Sequence, residues 1–153
     1  MLINGCILYP EQYKFIMRTA FLLLGTSIYG IKQGHYAMAI IPGSVFITSV
    51  NYWRKPDYSW RRTVDIYLVK GSMLYQTFRA VGTENEKIYY IIVILGTIFY
   101  LYGIHLYNKK RYWASTYSHS MLHVMGNLAC IVLYSGNIPE IGSNMFYKRL
   151  TNY

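Results

Sequence analysis

His119 and His123 stand four residues apart in an apolar stretch, so a helix through them places both imidazoles on one face, one turn apart. That spacing is a common way for a helix to offer two ligands to a metal. His105 supplies a third imidazole, and Asp65 a carboxylate that can ligate or orient a ligand from outside. Three protein ligands leave zinc an open position, where the pKa of a bound water falls towards about 7. In a membrane the natural substrate of such a hydroxide is a lipid amide or ester near the headgroup. The same residues have a plainer use: His, Asn and Ser on membrane helices hydrogen-bond across helix interfaces. On that reading His119 and His123 pair with Asp65, Ser49 or Asn127.

Five apolar runs must position these groups. They cover residues 14–31, 36–52, 63–80, 87–107 and 113–135, and a polar tail follows at 136–153. Each reads as a helix, and together they predict an all-α polytopic transmembrane bundle forming one domain over 1–153. Pro42-Gly43 interrupts the second run and predicts a kink. Asp65 and Lys70 make the third run the least apolar, which argues for the bundle interior. Asp65 is three and four residues from Arg62 and Arg61, within reach of a local ion pair. The fourth run has no charge between Ile88 and Ile104. Thr83-x-x-Glu86 before it matches a capping box, and Asp57 or Ser59 is placed to cap the third helix. Gly71, Gly96, Gly103 and Gly126 fit close helix approach. Trp53 and Trp60 flank a basic loop, the pattern of residues anchored at a membrane interface.

Composition agrees with these spans. Hydrophobic residues make up 54% and charged residues 14% of the 153, against about 25% charged in soluble domains. The net charge of +9 comes from 15 Lys and Arg scattered between apolar runs. A nucleic-acid surface gathers them on one soluble face, so nucleic acid is excluded as a partner and the lipid bilayer expected, with membrane-protein partners or an oligomer. Cys6 and Cys130 form no disulfide framework or metal motif. The tyrosine, Ile and Asn content suggests an AT-rich viral or organellar origin.

With five spans, one side receives Lys14, Arg18, Arg54, Lys55, Arg61, Arg62, Lys109, Lys110 and Arg111, nine positives. The other receives five: Lys32, Arg79, Lys87, Lys148 and Arg149. The positive-inside rule then puts the N-terminus on the cytoplasmic side and the C-terminus across the membrane. In this topology Ser49, Asp65, His105, His119 and His123 converge beneath the more positive face. His119, seven residues into its run, lies roughly 9–10 Å deep.

The order Ser49-x3-Trp53, Asp65, His119-x3-His123 resembles the superfamily of membrane hydrolases that includes alkaline ceramidases and the progestin/adiponectin-type receptors. That pattern has Ser-x3-His at the end of one helix, Asp on the next and His-x3-His on the last. The resemblance implies a histidine-bound zinc, with Ser49 and Asp65 assisting hydrolysis of a lipid amide. Trp53 stands where the family has a histidine ligand, and the family has seven spans against five here. The leading expectation is therefore a non-catalytic structural or assembly component of a membrane. A zinc-dependent lipid amide or ester hydrolase using His105, His119 and His123 is the alternative. Proton or ion transport through Asp65, Lys70 and the histidines is a third.

Overall fold

The computed structural model describes residues 5–139. The chain folds there into α1 (Pro10–Lys32), α2 (Tyr36–Trp53), α3 (Trp60–Ala80), α4 (Glu86–Asn108) and α5 (Tyr112–Ser135), with no strand among the described residues. The first helix starts four residues before the apolar run does. Pro10 at its start lacks an N–H that would have had no partner anyway, and the Gln12 side chain accepts the Tyr9 N–H at 3.1 Å. At the other helix starts the expected caps are replaced. Asp57 accepts the Ser59 N–H at 3.1 Å and pairs with Arg61 at 2.8 Å. Thr83 donates back to the Ala80 carbonyl, and Glu86 accepts the Gly82 N–H. Most of the polar tail, 140–153, including Lys148 and Arg149, lies outside the described residues.

Helix neighbours run in the order α3–α2–α1–α5–α4, a ring that is nearly open between α3 and α4. The short turn between those two carries Gly82 at φ 76°, a backbone conformation glycine adopts without penalty. Near this turn the pair is closed: Tyr90 donates to the Thr77 carbonyl at 3.2 Å, and Thr77 and Tyr89 hydroxyls meet at 3.4 Å. At their other ends α3 and α4 splay. The partnership of α4 and α5 is tight where Gly103 lies against the α5 backbone, and Ser115 and Ser118 donate to the Gly103 and Phe99 carbonyls at 2.8 and 2.7 Å. Gly96 also meets α5, at the Met125 Cβ, whereas Gly71 and Gly126 face open space.

Pro42 sits inside α2 and is buried. It has no N–H to give the Met38 carbonyl, four residues back. Two other helices use that acceptor instead. Gln76 Nε2 of α3 donates to it at 3.2 Å and the Tyr134 hydroxyl of α5 at 3.1 Å, while Gln76 also donates to Tyr134 at 2.6 Å. The proline thus becomes the tie-point of three helices.

Polar side chains share the interior with an apolar core that includes Ile16, Tyr89 and Leu133. Gln12, Thr26, Ser49, Asp65, Gln76 and Asn127 are buried, while Ile91, Ile94, Ile98 and Leu101 along α4 are exposed. By length and composition α4 is the one described helix apolar enough to cross a membrane unaided, and only 17% of that stretch is buried. The third helix does not occupy the interior, contrary to expectation. It packs on α2 at the edge of the ring, and Tyr67 (70%), Leu74 (73%) and Lys70 are exposed. Its inward stripe consists of Asp65, Gln76 and Ala80.

Candidate functional site

The α5 helix presents a line of polar groups to its neighbours. His119 and His123 are half-buried, with ring centroids 5.1 Å apart. His123 Nδ1 lies 2.9 Å from the Thr19 hydroxyl of α1. That hydroxyl donates its single proton to the Ile16 carbonyl at 2.7 Å, so it accepts from His123. The proton of a neutral His123 is thereby assigned to Nδ1, leaving the Nε2 lone pair free. One turn further, the Thr26 hydroxyl donates to Asn127 Oδ1 at 2.5 Å, and Asn127 Nδ2 donates to the His123 carbonyl at 2.7 Å.

Asp65 is held from α2. Its Oδ1 accepts the Thr48 and Ser49 hydroxyls at 2.9 and 2.8 Å. No ion pair with Arg61 or Arg62 forms, because Arg61 is engaged by Asp57 in the preceding loop. Trp53 is not an interface anchor. It is 5% exposed, and its ring lies 4.9 Å from that of His119. Trp60, at 69% exposure, keeps the surface position expected of it.

The structure thus brings Ser49 to Asp65, Trp53 to His119, and His119 to His123. His105 is placed elsewhere: it faces outward on α4, its ring stacked on Tyr102 at 6.4 Å. The reason is angular. His105 follows Gly103 by two residues, which on a helix is about half a turn, and Gly103 is the position packed against α5. Among the described residues no three His, Cys, Asp or Glu side chains gather as a metal-holding group. Of the three histidines expected to act as metal ligands, the fold brings only His119 and His123 together, and His105 stands apart.

A half-open cavity of about 320 Å³ lies beside His119, in the splay between α3 and α4. Arg62, Asp65, Trp53 and Tyr107 are among the residues that line it. The segment before α1 closes its end: Ile7 N–H donates to the Pro56 carbonyl at 3.0 Å, and the Tyr107 hydroxyl donates to the Ile7 carbonyl at 3.1 Å. Thr19, Thr48 and this head segment escaped the sequence reading. Lone hydroxyl residues in apolar helices carry no spacing signal, and a short head gives no hint of what it tucks under.

Compared with models of known protein families, with curated proteins and with solved structures, the chain matches none.

Proposed function

We propose that the chain is a five-helix integral membrane protein with a non-catalytic, structural or assembly role, its N-terminus on the more positive, cytoplasmic side. One observation carries this reading: buried polar groups bond helix to helix, while the apolar face of α4 points outward. Thr48 and Ser49 of α2 donate to Asp65 Oδ1 of α3, Thr19 of α1 bonds His123 Nδ1 of α5, and Thr26 of α1 donates to Asn127 of α5. In lipid such bonds supply much of the specificity that hydrophobic burial supplies in water. The apolar outer face of α4 would cost a soluble protein its solubility and suits a bilayer.

Alkaline carbonate extraction of membranes from expressing cells tests the reading. The full chain is expected to stay in the pellet and to need detergent for release. A chain that is monodisperse in buffer without detergent sinks it. For the assembly role, gentle extraction is expected to recover the chain as an oligomer or with a stable membrane partner, and a clean monomer counts against it.

The ceramidase-like hydrolase is a second reading, favoured by the contacts Ser49–Asp65 and Trp53–His119, which join positions of the resembled pattern. It requires stoichiometric zinc in the purified protein, lost in His119→Ala and His123→Ala. Absence of metal from the parent protein removes it. Transport has less support, since Lys70 is turned outward and does not continue the Asp65 cluster inward.

A further inference from the structure

Arg62 and Asp65 are three residues apart on α3, about 5–6 Å between Cβ atoms, and both line the cavity. They nevertheless form no ion pair. Asp65 Oδ1 is occupied by two hydroxyls, and its Oδ2 bonds no described residue. The Arg62 guanidinium lies over the Tyr58 ring, 5.4 Å from its centroid, and beside the Tyr52 hydroxyl. It meets no carboxylate within ion-pair distance among the described residues. One cavity therefore presents a cation and an anion separately.

The surroundings narrow what fits. Tyr52, Trp53, Tyr58, Tyr100 and Tyr107 contribute to the wall, and Ile66 and Ile104 come from the two splayed helices. Aromatic faces attract ammonium groups. A guanidinium matches the oxygens of a phosphate. The volume of about 320 Å³ is at the lower end of ligand pockets, about 300–1,000 Å³. It suits a headgroup rather than a whole lipid.

We propose that the cavity between α3 and α4 binds the zwitterionic headgroup of a membrane phospholipid. Its phosphate rests on Arg62, its ammonium lies between Asp65 and the aromatic wall, and its acyl chains leave through the splay. The inference rests on the membrane reading above. A lipid of net negative charge such as phosphatidylglycerol fits less well: its glycerol is neutral and offers the Asp65 carboxylate no cation, so that carboxylate stays unpaired one turn from the bound phosphate.

Native mass spectrometry of the full chain in a maltoside detergent tests this, with phosphatidylcholine, phosphatidylethanolamine and phosphatidylglycerol of identical chains. The parent protein is expected to bind one zwitterionic lipid at least about tenfold more tightly than phosphatidylglycerol, the scale of one charge-assisted contact. Asp65→Asn should erase that preference. Arg62→Gln should weaken all three lipids by about tenfold or more, with Arg62→Lys recovering part of the loss. Lys55→Gln, exposed and outside the cavity, should change nothing. Helical circular dichroism identifies any variant that fails to fold, and the conservative Arg62→Lys arm then stands in its place. Equal binding of phosphatidylglycerol by the parent, or an unchanged preference in a folded Asp65→Asn, overturns the proposal. Displacement of the lipid by an equal concentration of soluble phosphocholine reassigns the site to a free small molecule and also overturns it. A chain that resists carbonate extraction yet binds no lipid refutes this site alone; a chain released by carbonate refutes the membrane reading itself.

Discussion

Trp53 occupies the place from which a third metal ligand would have to come. Its ring is 4.9 Å from His119, whose own ring is 5.1 Å from His123. Trp53→His would set a third imidazole beside the pair. We expect this variant to bind zinc stoichiometrically, measured by elemental analysis of the purified protein, with the gain abolished by His119→Ala. Losing the buried indole should cost up to about 3 kcal/mol without metal, partly recovered when zinc binds the folded state. No gain of zinc would mean that the three rings do not share a coordination sphere. The sequence offered His105 as a third ligand beside the His119–His123 pair. Which of them faces inward depends on the rotation of each helix about its axis, and only packing fixes that.

Elements are joined through backbone acceptors as much as through side chains. Because Pro42 leaves the Met38 carbonyl free, Gln76 and Tyr134 can both bond it. Gln76→Leu is expected to destabilise the bundle by about 1–2 kcal/mol, within the range measured for interhelical bonds in membranes. In a Pro42→Ala background the same change should cost less, since the substituted alanine returns an N–H to that carbonyl. A double-mutant cycle, read by unfolding in mixed micelles, gives the coupling; additive effects would show that the proline and the glutamine act independently. Gly103 makes a second prediction. A Cβ there would stand 3.5–3.6 Å from Ser118 and the α5 backbone, ordinary contact. Gly103→Ala should therefore be close to neutral, whereas Gly103→Leu should overpack the α4–α5 seam and cost about 1–3 kcal/mol. The same unfolding assay separates the two. The kink at Pro42 was legible in the sequence. The partners of the freed carbonyl, Gln76 and Tyr134, sit on other helices far along the chain, and no local pattern connects them to the proline.

At the scale of the molecule, an open ring of five helices encloses an apolar core threaded by polar groups, and α4 turns an apolar face outward. In the membrane topology proposed above, an odd number of spans puts the termini on opposite sides, and nine against five positive residues favours a cytoplasmic N-terminus. Tags at the two ends should accordingly be accessible from opposite faces of sealed vesicles, with the N-terminal tag on the cytoplasmic face. Accessibility of both from one face would mean that a helix lies along the interface instead of crossing, and α3, the least apolar, is the first to suspect.

The number, order and approximate limits of the helices were determined by the sequence. Apolar runs broken by Gly34, Pro56, Gly82 and the 108–111 turn leave an all-α chain few alternatives, and those signals are local. Convergence of Ser49, Asp65 and the His119–His123 pair near one end was also legible, because antiparallel helices of similar length bring residues at equal depth together. Tertiary structure alone decided the rest. It turned His105 outward and sank Trp53 against His119. It moved α3 to the edge and opened the cavity beside Asp65 and Arg62. These outcomes depend on helix rotation and splay, which follow from side-chain packing between segments distant in the chain and have no signature in the order of residues.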